Sequence, residues 1–342
     1  MHREFARRGI EEVIVHTGQH YDYEMSQVFF EGFQLPDARY HLNQRGKTNI
    51  QQTASILAAM EEILQQEKPT CTLVYGDVNS TAAAALASAK LRIPVVHIEG
   101  GVRSHQLYNP EEINRRVTDH LSVLIFACTR TDYQNLLREG FEEDRIFLSG
   151  DIVKDALLYT IEQHNIPVKR GDYICVTIHR EENVESPERL RSIVEGLLQC
   201  QLPVFFPVHP RTRERLKQYG LWEALQRCKR VELREPQGYV QFVKLLSGAN
   251  RVFTDSGGVR REAYILEKPV IVPIDIVWFP EILEAGWMKV VEPNPQEIAH
   301  ALKHFEPPSA HPEIFGDGKA YQRIVARMCQ FFEGERSSIC AS

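Results

Sequence analysis

Short apolar runs that end abruptly at glycine, carboxylate or histidine alternate along this chain with longer windows of helical periodicity. The strand candidates are Glu12–Thr17, Thr72–Tyr75, Val95–Ile98, Leu124–Ala127, Arg145–Leu148, Tyr173–Thr177, Val204–Val208, Val231–Leu233, Arg251–Thr254 and Val270–Val272. Amphipathic windows separate them, among them Thr53–Gln66, Ser80–Leu91, Pro110–His120, Asp132–Glu139, Pro187–Gln201, Arg211–Gln218, Tyr239–Ala249 and Val259–Glu267. A strand-then-helix rhythm of this kind predicts a parallel, doubly wound α/β fold, and so many strands fit two sheets better than one. The break is placed at the polar turn Lys169-Arg170-Gly171-Asp172, after which a fresh strand begins. Residues 1–168 are therefore expected as one Rossmann-like domain and 169–342 as a second, with the cleft between them. No short-period repeat or low-complexity segment interrupts the pattern.

Bulk composition narrows the function classes. A length of 342 residues suits a two-domain enzyme, and a net charge of −6 with dispersed basic residues gives no footprint for nucleic acid. Seven widely spaced cysteines without a Cys-x-x-Cys fit a reduced compartment, as core fillers and one tail thiol. No apolar stretch approaches the roughly 20 residues of a membrane span, and the first residues lack a hydrophobic signal core. The expectation is a soluble, cytoplasmic protein without a membrane partner.

The chemistry-bearing residues sit where the apolar runs stop, which in an open parallel sheet is the carboxyl edge where ligands bind. Asp77 follows Thr72–Tyr75, Glu99 follows Val95–Ile98, and Glu111 opens a helical window behind Pro110. Carboxylates crowded into one site push their pKa values apart, which provides an acid and a base near neutral pH. Alone, Asp77 is also explained as a helix cap, and Glu111, like Glu112, as a cap or first-turn charge; together with Glu99 they suggest proton chemistry. Asp255-Ser256-Gly257-Gly258 follows another run and opens a helix, a phosphate cradle or simply a capped glycine turn. Glu262, one helical turn on, could accept both hydroxyls of a ribose. His179-Arg180 and His209-Pro210-Arg211 come straight after two further strands, placing cations that could bind a diphosphate at the same edge. No Cys-x-x-Cys or Asp-x-Asp set appears, and no metal is expected.

Taken in order, Tyr75-Gly76-Asp77-Val78-Asn79-Ser80-Thr81, His97-Ile98-Glu99-Gly100-Gly101-Val102-Arg103-Ser104, Pro110-Glu111-Glu112-Ile113-Asn114-Arg115, Thr177-Ile178-His179-Arg180-Glu181-Glu182-Asn183 and Thr254-Asp255-Ser256-Gly257-Gly258 resemble the bacterial non-hydrolysing UDP-N-acetylglucosamine 2-epimerases over nearly the whole chain. The resemblance implies a glycosyltransferase-B architecture, with the uridine diphosphate on the second domain, the sugar facing carboxylates of the first, and a final helix, Lys319–Glu333, crossing back. It implies a homodimer acting on a UDP-linked amino sugar, without a cofactor. UDP leaves carbon 1 as carbon 2 loses its proton, and both return with carbon 2 inverted, yielding a mannosamine-configured precursor for surface polysaccharide. By motif, Asp77, Glu99, Glu111 and His179 would be catalytic, while Asn114, Arg115, Arg180, His209, Ser256, Gly257, Gly258 and Glu262 would bind substrate. Which carboxylate is acid and which is base stays open.

Three departures shape the expectations. The family's first strand and its arginine-bearing Gly-Thr/Ala-Arg-Pro loop are not found ahead of Met1, so the sequence reading expects a weakened phosphate site and a natural start further upstream. After Val270–Val272, the segment Ile274-Asp275-Ile276-Val277-Trp278-Phe279-Pro280-Glu281 keeps the acid but is apolar where relatives are polar. Gln19-His20 begins like an activator site that Tyr21-Asp22-Tyr23-Glu24 does not continue. The Gly18–Phe30 stretch also resembles a branch acting on UDP-2,3-diacetamido-glucuronic acid. A sugar-releasing hydrolase and a nucleotide-sugar binder without turnover are the other readings.

Overall fold

The structure is a computed structural model that describes residues 1–18, 30, 32–44, 48–274 and 278–339, with side chains to 334. The activator-site residues Gln19–Glu24, the branch residues Met25, Ser26 and Phe29, Asp275–Val277 and the tail thiol of Cys340 lie outside them. The chain divides into two compact units, Met1–Asp155 with Ile314–Ser342, and Ala156–Glu313. The first division falls inside the helix Ile152–Gln163 rather than at the turn after 168. A helix that runs through a boundary leaves no polar break for sequence pattern to detect.

In the first unit, four parallel strands lie in the order Thr72–Tyr75, Val95–Gly100, Leu124–Ala127 and Ile146–Leu148. Val15–His16 pairs in parallel with Tyr40–His41 as a separate ladder. The pattern missed Tyr40–His41, because two residues are too few to show alternation. Thr48 and Gln51 form a reciprocal capping box that starts the helix Asn49–Glu67, whose Ile56, Met60, Ile63 and Leu64 make a buried stripe at helical spacing. Ile56, Met60 and Leu64 of that stripe pack with the alanine-rich helix Asn79–Lys90 over Val74 and Val95. The final helix, Ala320–Ile339, belongs to this unit: Ala320, Ile324, Val325 and Met328 pack with Val96, Ile98, Leu124, Phe126 and Phe5. Its start is held by the Asp155 carboxylate, which accepts from the Ala320 and Tyr321 amides at 3.2 and 2.7 Å.

The second unit has a six-stranded parallel sheet, ordered Met288–Val290, Val270–Val272, Arg251–Thr254, Ile174–Thr177, Val204–Pro207 and Val231–Arg234. Arg251–Thr254 and Ile174–Thr177 are adjacent at the centre, and the chain reverses its order of strand addition there. This is the topological switch point at which open α/β sheets bind ligands. Met288–Val290, an edge strand of three residues with Lys289 at its centre, lacks the continuous apolar run that marks Val270–Val272 and escaped the sequence pattern. Among the described residues no helix is long and apolar enough to cross a membrane.

Candidate active site

Asp77 lies just past Thr72–Tyr75, and the Arg115 guanidinium is salt-bridged to its carboxylate. Asn114 donates to the Asp77 carbonyl at 2.9 Å and to Asn79 Oδ1 at 3.2 Å. The helix Pro110–Leu121 thus brings Asn114 and Arg115 onto the Asp77 loop. Capping does not account for the two acids whose role was left open. The N-cap of Asn79–Lys90 is Val78, without a side-chain bond, and the N-cap of Pro110–Leu121 is Asn109, whose Oδ1 accepts from the Glu111 amide at 2.9 Å. Its neighbour Glu112 is the structural acid of the pair, fully buried and bonded to the Ser104 amide at 2.7 Å and Arg116 at 2.8 Å.

Glu99 has φ +71° within Val95–Gly100, at a register shift between Ile98 and Gly100. Left-handed backbone at a non-glycine residue is uncommon and concentrates where a bulge re-aims a side chain for function. Glu99, Cys128 and Asp151 each place a ligand-type atom within 4.8 Å of the others. Asp151 is buried, and its Oδ1 accepts from the Val153 amide at 2.8 Å. The described residues thus add a carboxylate and a thiol beside Glu99 that the sequence reading did not assign.

Beneath these loops runs a buried charge network. His97 Nδ1 meets Asp119 Oδ1 at 2.7 Å and its Nε2 meets the Gly76 carbonyl at 2.8 Å; Arg103 bridges Asp119 at 2.7 Å and Glu139 at 2.7 Å. Burial alone would push the Asp119 carboxyl up, but His97 and Arg103 overcome it and hold it below the usual carboxylate range. Gly100 leaves no space for a side chain here: a Cβ would stand 2.2 Å from Ile125 and 2.6 Å from Asp119 Oδ1. Sequence pattern did not single out this network, since His97 lies inside an apolar strand run and Asp119 inside a helix.

In the second unit, Asp255 is fully buried at the end of Arg251–Thr254 and binds the loop after Ile174–Thr177. It accepts from the amides of His179 and Arg180 at 3.1 and 3.0 Å, from Asn183 Nδ2 at 3.0 Å and from His179 Nδ1 at 3.1 Å. Burial would raise its pKa; the bonds from His179, Asn183 and Arg180 bring it below normal instead. His209 stands close by, with ring centroids 5.9 Å from His179, and its pKa is lowered by burial, then by His179 and Arg211. Its Nδ1 accepts from the Arg211 amide at 3.2 Å and so starts the helix Pro210–Gln218.

Ser256 caps the helix Gly257–Ile265 by accepting from the Val259 amide at 3.4 Å. Neither glycine that follows is required by packing. Among the described residues a Cβ on Gly257 would meet only the Trp278 ring, at 3.8 Å, and one on Gly258 only Ser256 Oγ, at 4.0 Å. Their φ values are not left-handed. The space left by two absent side chains lies at a helix N-terminus whose amides and dipole favour an anion. Glu262 is buried and accepts from Tyr239 Oη at 2.8 Å; burial, then Glu262, push the tyrosine pKa up. The structure therefore brings His179, Arg180, His209, Ser256, Gly257 and Gly258 to one sheet edge, with Glu262 one turn along the helix.

Comparison with known proteins decides the family. The UDP-N-acetylglucosamine 2-epimerase family profile matches residues 3–328. The chain belongs to this family. A UDP-N-acetylglucosamine 2-epimerase homolog of Methanococcus maripaludis is 40% identical over 330 residues, spanning 93% of this chain and 92% of its own. The UDP-2,3-diacetamido-2,3-dideoxy-D-glucuronate 2-epimerase of Pseudomonas aeruginosa is 38% identical, spanning 92% and 90%. Among solved structures, the UDP-GlcNAc 2-epimerase of Methanocaldococcus jannaschii in complex with UDP-GlcNAc and UDP has a TM-score of 0.89 at 37% identity, covering 96% of this chain and 94% of its own. The family member described here shares the glycosyltransferase-B fold class with these relatives, as two α/β units with all-parallel sheets.

Proposed function

We propose that this chain is a non-hydrolysing UDP-N-acetylglucosamine 2-epimerase that interconverts UDP-GlcNAc and UDP-ManNAc. Family membership and the UDP-GlcNAc-bound relative support the substrate class. The observation that carries the reading is the anion-suited sheet edge of the second unit, with His179, Arg180, Ser256 and two uncrowded glycines; in the first unit Asp77 and Glu99 stand at strand ends and Glu111 in the first turn of Pro110–Leu121. The second unit holds the diphosphate through Ser256, Gly257, Gly258, Arg180 and the two histidines, with Glu262 toward the ribose. The first unit acts on the sugar, with Asn114 and Arg115 orienting Asp77.

In this reaction a carboxylate takes the proton from carbon 2 while the bond from carbon 1 to the diphosphate oxygen breaks, giving 2-acetamidoglucal and UDP. His179 and the helix terminus stabilise the charge that develops on the leaving oxygen. Return of UDP to carbon 1 and of a proton to the opposite face of carbon 2 completes inversion, so no redox step is required. Supply of a mannosamine-configured precursor for surface polysaccharide is the corresponding role. Solvent exchange at carbon 2 tests the reading.

A second substrate, UDP-2,3-diacetamido-glucuronate, is favoured by the Pseudomonas relative at nearly the same identity as the first. The assembly proposed is a homodimer, supported by exposed Ile113 and Val117 on one face of Pro110–Leu121 and exposed Leu107 and Tyr108 in the loop before it. Apolar side chains gathered in this way favour a protein partner over solvent.

A further inference from the structure

His97 and Asp119 stand outside the catalytic set, yet they connect the two loops that carry its first two acids. The His97 ring is fully buried, and both its nitrogens face acceptors on different elements: the Gly76 carbonyl, one residue before Asp77, and the Asp119 carboxylate on the helix Pro110–Leu121. The second oxygen of Asp119 accepts from the Gly101 amide at 3.2 Å and from Arg103 at 2.7 Å, two and four residues beyond the left-handed Glu99. A single imidazole–carboxylate pair therefore fixes the backbone one residue before Asp77 on one side and two residues after Glu99 on the other. The same helix carries Arg115, which pairs with Asp77. Glu139, on Arg103, and Glu112, on Arg116, close the far side of the network.

We infer that His97 and Asp119 are positioning residues that set the relative placement of Asp77 and Glu99 for proton transfer at carbon 2. The inference rests on the proposed epimerase reading and adds the device that holds its acids in register. Proton transfer is steep in distance, and a displacement of about 1 Å far from the chemistry can cost 10²-fold in rate. A buried pair with two anchors restrains both loops without touching substrate, so its loss lowers kcat and leaves KM and UDP affinity in place.

Two near-isosteric variants separate positioning from simple stabilisation. Glutamine places its amide where Nε2 stood and keeps a donor for the Gly76 carbonyl; asparagine keeps a donor toward Asp119 and gives up Gly76. Both leave one bond unmade, so both lower the melting temperature to a similar extent. Positioning predicts that His97→Asn lowers kcat for UDP-GlcNAc by about 10- to 100-fold with KM within about threefold, and that His97→Gln restores most of it. Equal kcat losses that follow the melting temperatures, or two variants at wild-type kcat, would overturn the inference. Should the His97 variants fail to fold, Asp119→Asn decides on the same terms: kcat reduced at constant KM supports positioning, and unchanged kcat refutes it. A wild-type chain that shows no carbon 2 exchange overturns the functional reading itself, a result distinct from active wild type with indifferent variants.

Discussion

The fully buried Asp255 carboxylate accepts the His179 backbone amide at 3.1 Å, so the loop after one central strand is fixed by the end of its neighbour. Sequence reading grouped Asp255 with the glycines of a phosphate cradle; the structure turns its side chain inward. It positions the histidine and arginine proposed to meet the diphosphate.

Asp255→Asn removes a charge-assisted acceptor from four donors and leaves some of them buried without a partner, at about 1–3 kcal/mol each. A clear fall in melting temperature is expected, with UDP affinity weakened at least about tenfold by the loss of one ionic contact's worth of order. Because the folded pKa of Asp255 is depressed, its stabilisation is fully present above the ordinary aspartate pKa and is lost as pH falls through the folded value. Urea unfolding at pH 7 and at successively lower pH below the ordinary aspartate range checks this: the stability gap between the wild type and Asp255→Asn should narrow as the pH falls. A gap that persists unchanged or grows contradicts the assignment.

Asp77→Asn, Glu99→Gln and Glu111→Gln should each lower kcat by about 10²-fold or more, the scale of an acid or base group. Calorimetric affinity for UDP should stay near the wild-type value, since all three belong to the first unit. Affinities that fall in parallel with kcat would transfer these residues to substrate binding.

Gly257→Val is the sharpest probe of the opposite edge. The described neighbours accommodate an added Cβ at this first helical position, so folding should be retained while the bulk of the valine blocks UDP binding. His179→Ala and Ser256→Ala should weaken UDP more modestly. Normal UDP calorimetry in Gly257→Val would remove the diphosphate from this helix terminus.

How far the site was legible follows from where its residues stand. Asp77, Glu99 and His179 each break an apolar run, and termination of a parallel strand by a polar residue is a signal that survives without an alignment. His97 and Asp119 lie inside a strand and a helix, where a single polar residue reads as a tolerated exception. Only the fold reveals that they meet. The pairing of Asn114 and Arg115 with Asp77 likewise depends on how Pro110–Leu121 crosses the sheet edge, a relation no spacing encodes. The unit boundary was missed because Ile152–Gln163 is continuous through it, and the helical signal does not weaken there.

The proposed dimer gives a further expectation. Ile113→Asp with Val117→Asp places two charges on an exposed helix face and should convert a dimer to monomers with little loss of melting temperature. Sedimentation equilibrium checks it: a wild-type chain that sediments as a monomer at micromolar concentration removes the proposal.

The central claim is carbon 2 epimerisation of a UDP-linked amino sugar, and proton NMR of the wild-type chain with UDP-GlcNAc in deuterium oxide tests it most directly. The account predicts loss of the carbon 2 proton signal together with growth of the UDP-ManNAc anomeric resonance, both abolished or strongly slowed in Glu99→Gln. Shift changes on binding without deuterium incorporation at carbon 2, for UDP-GlcNAc and for its 2,3-diacetamido-glucuronate counterpart alike, would contradict it.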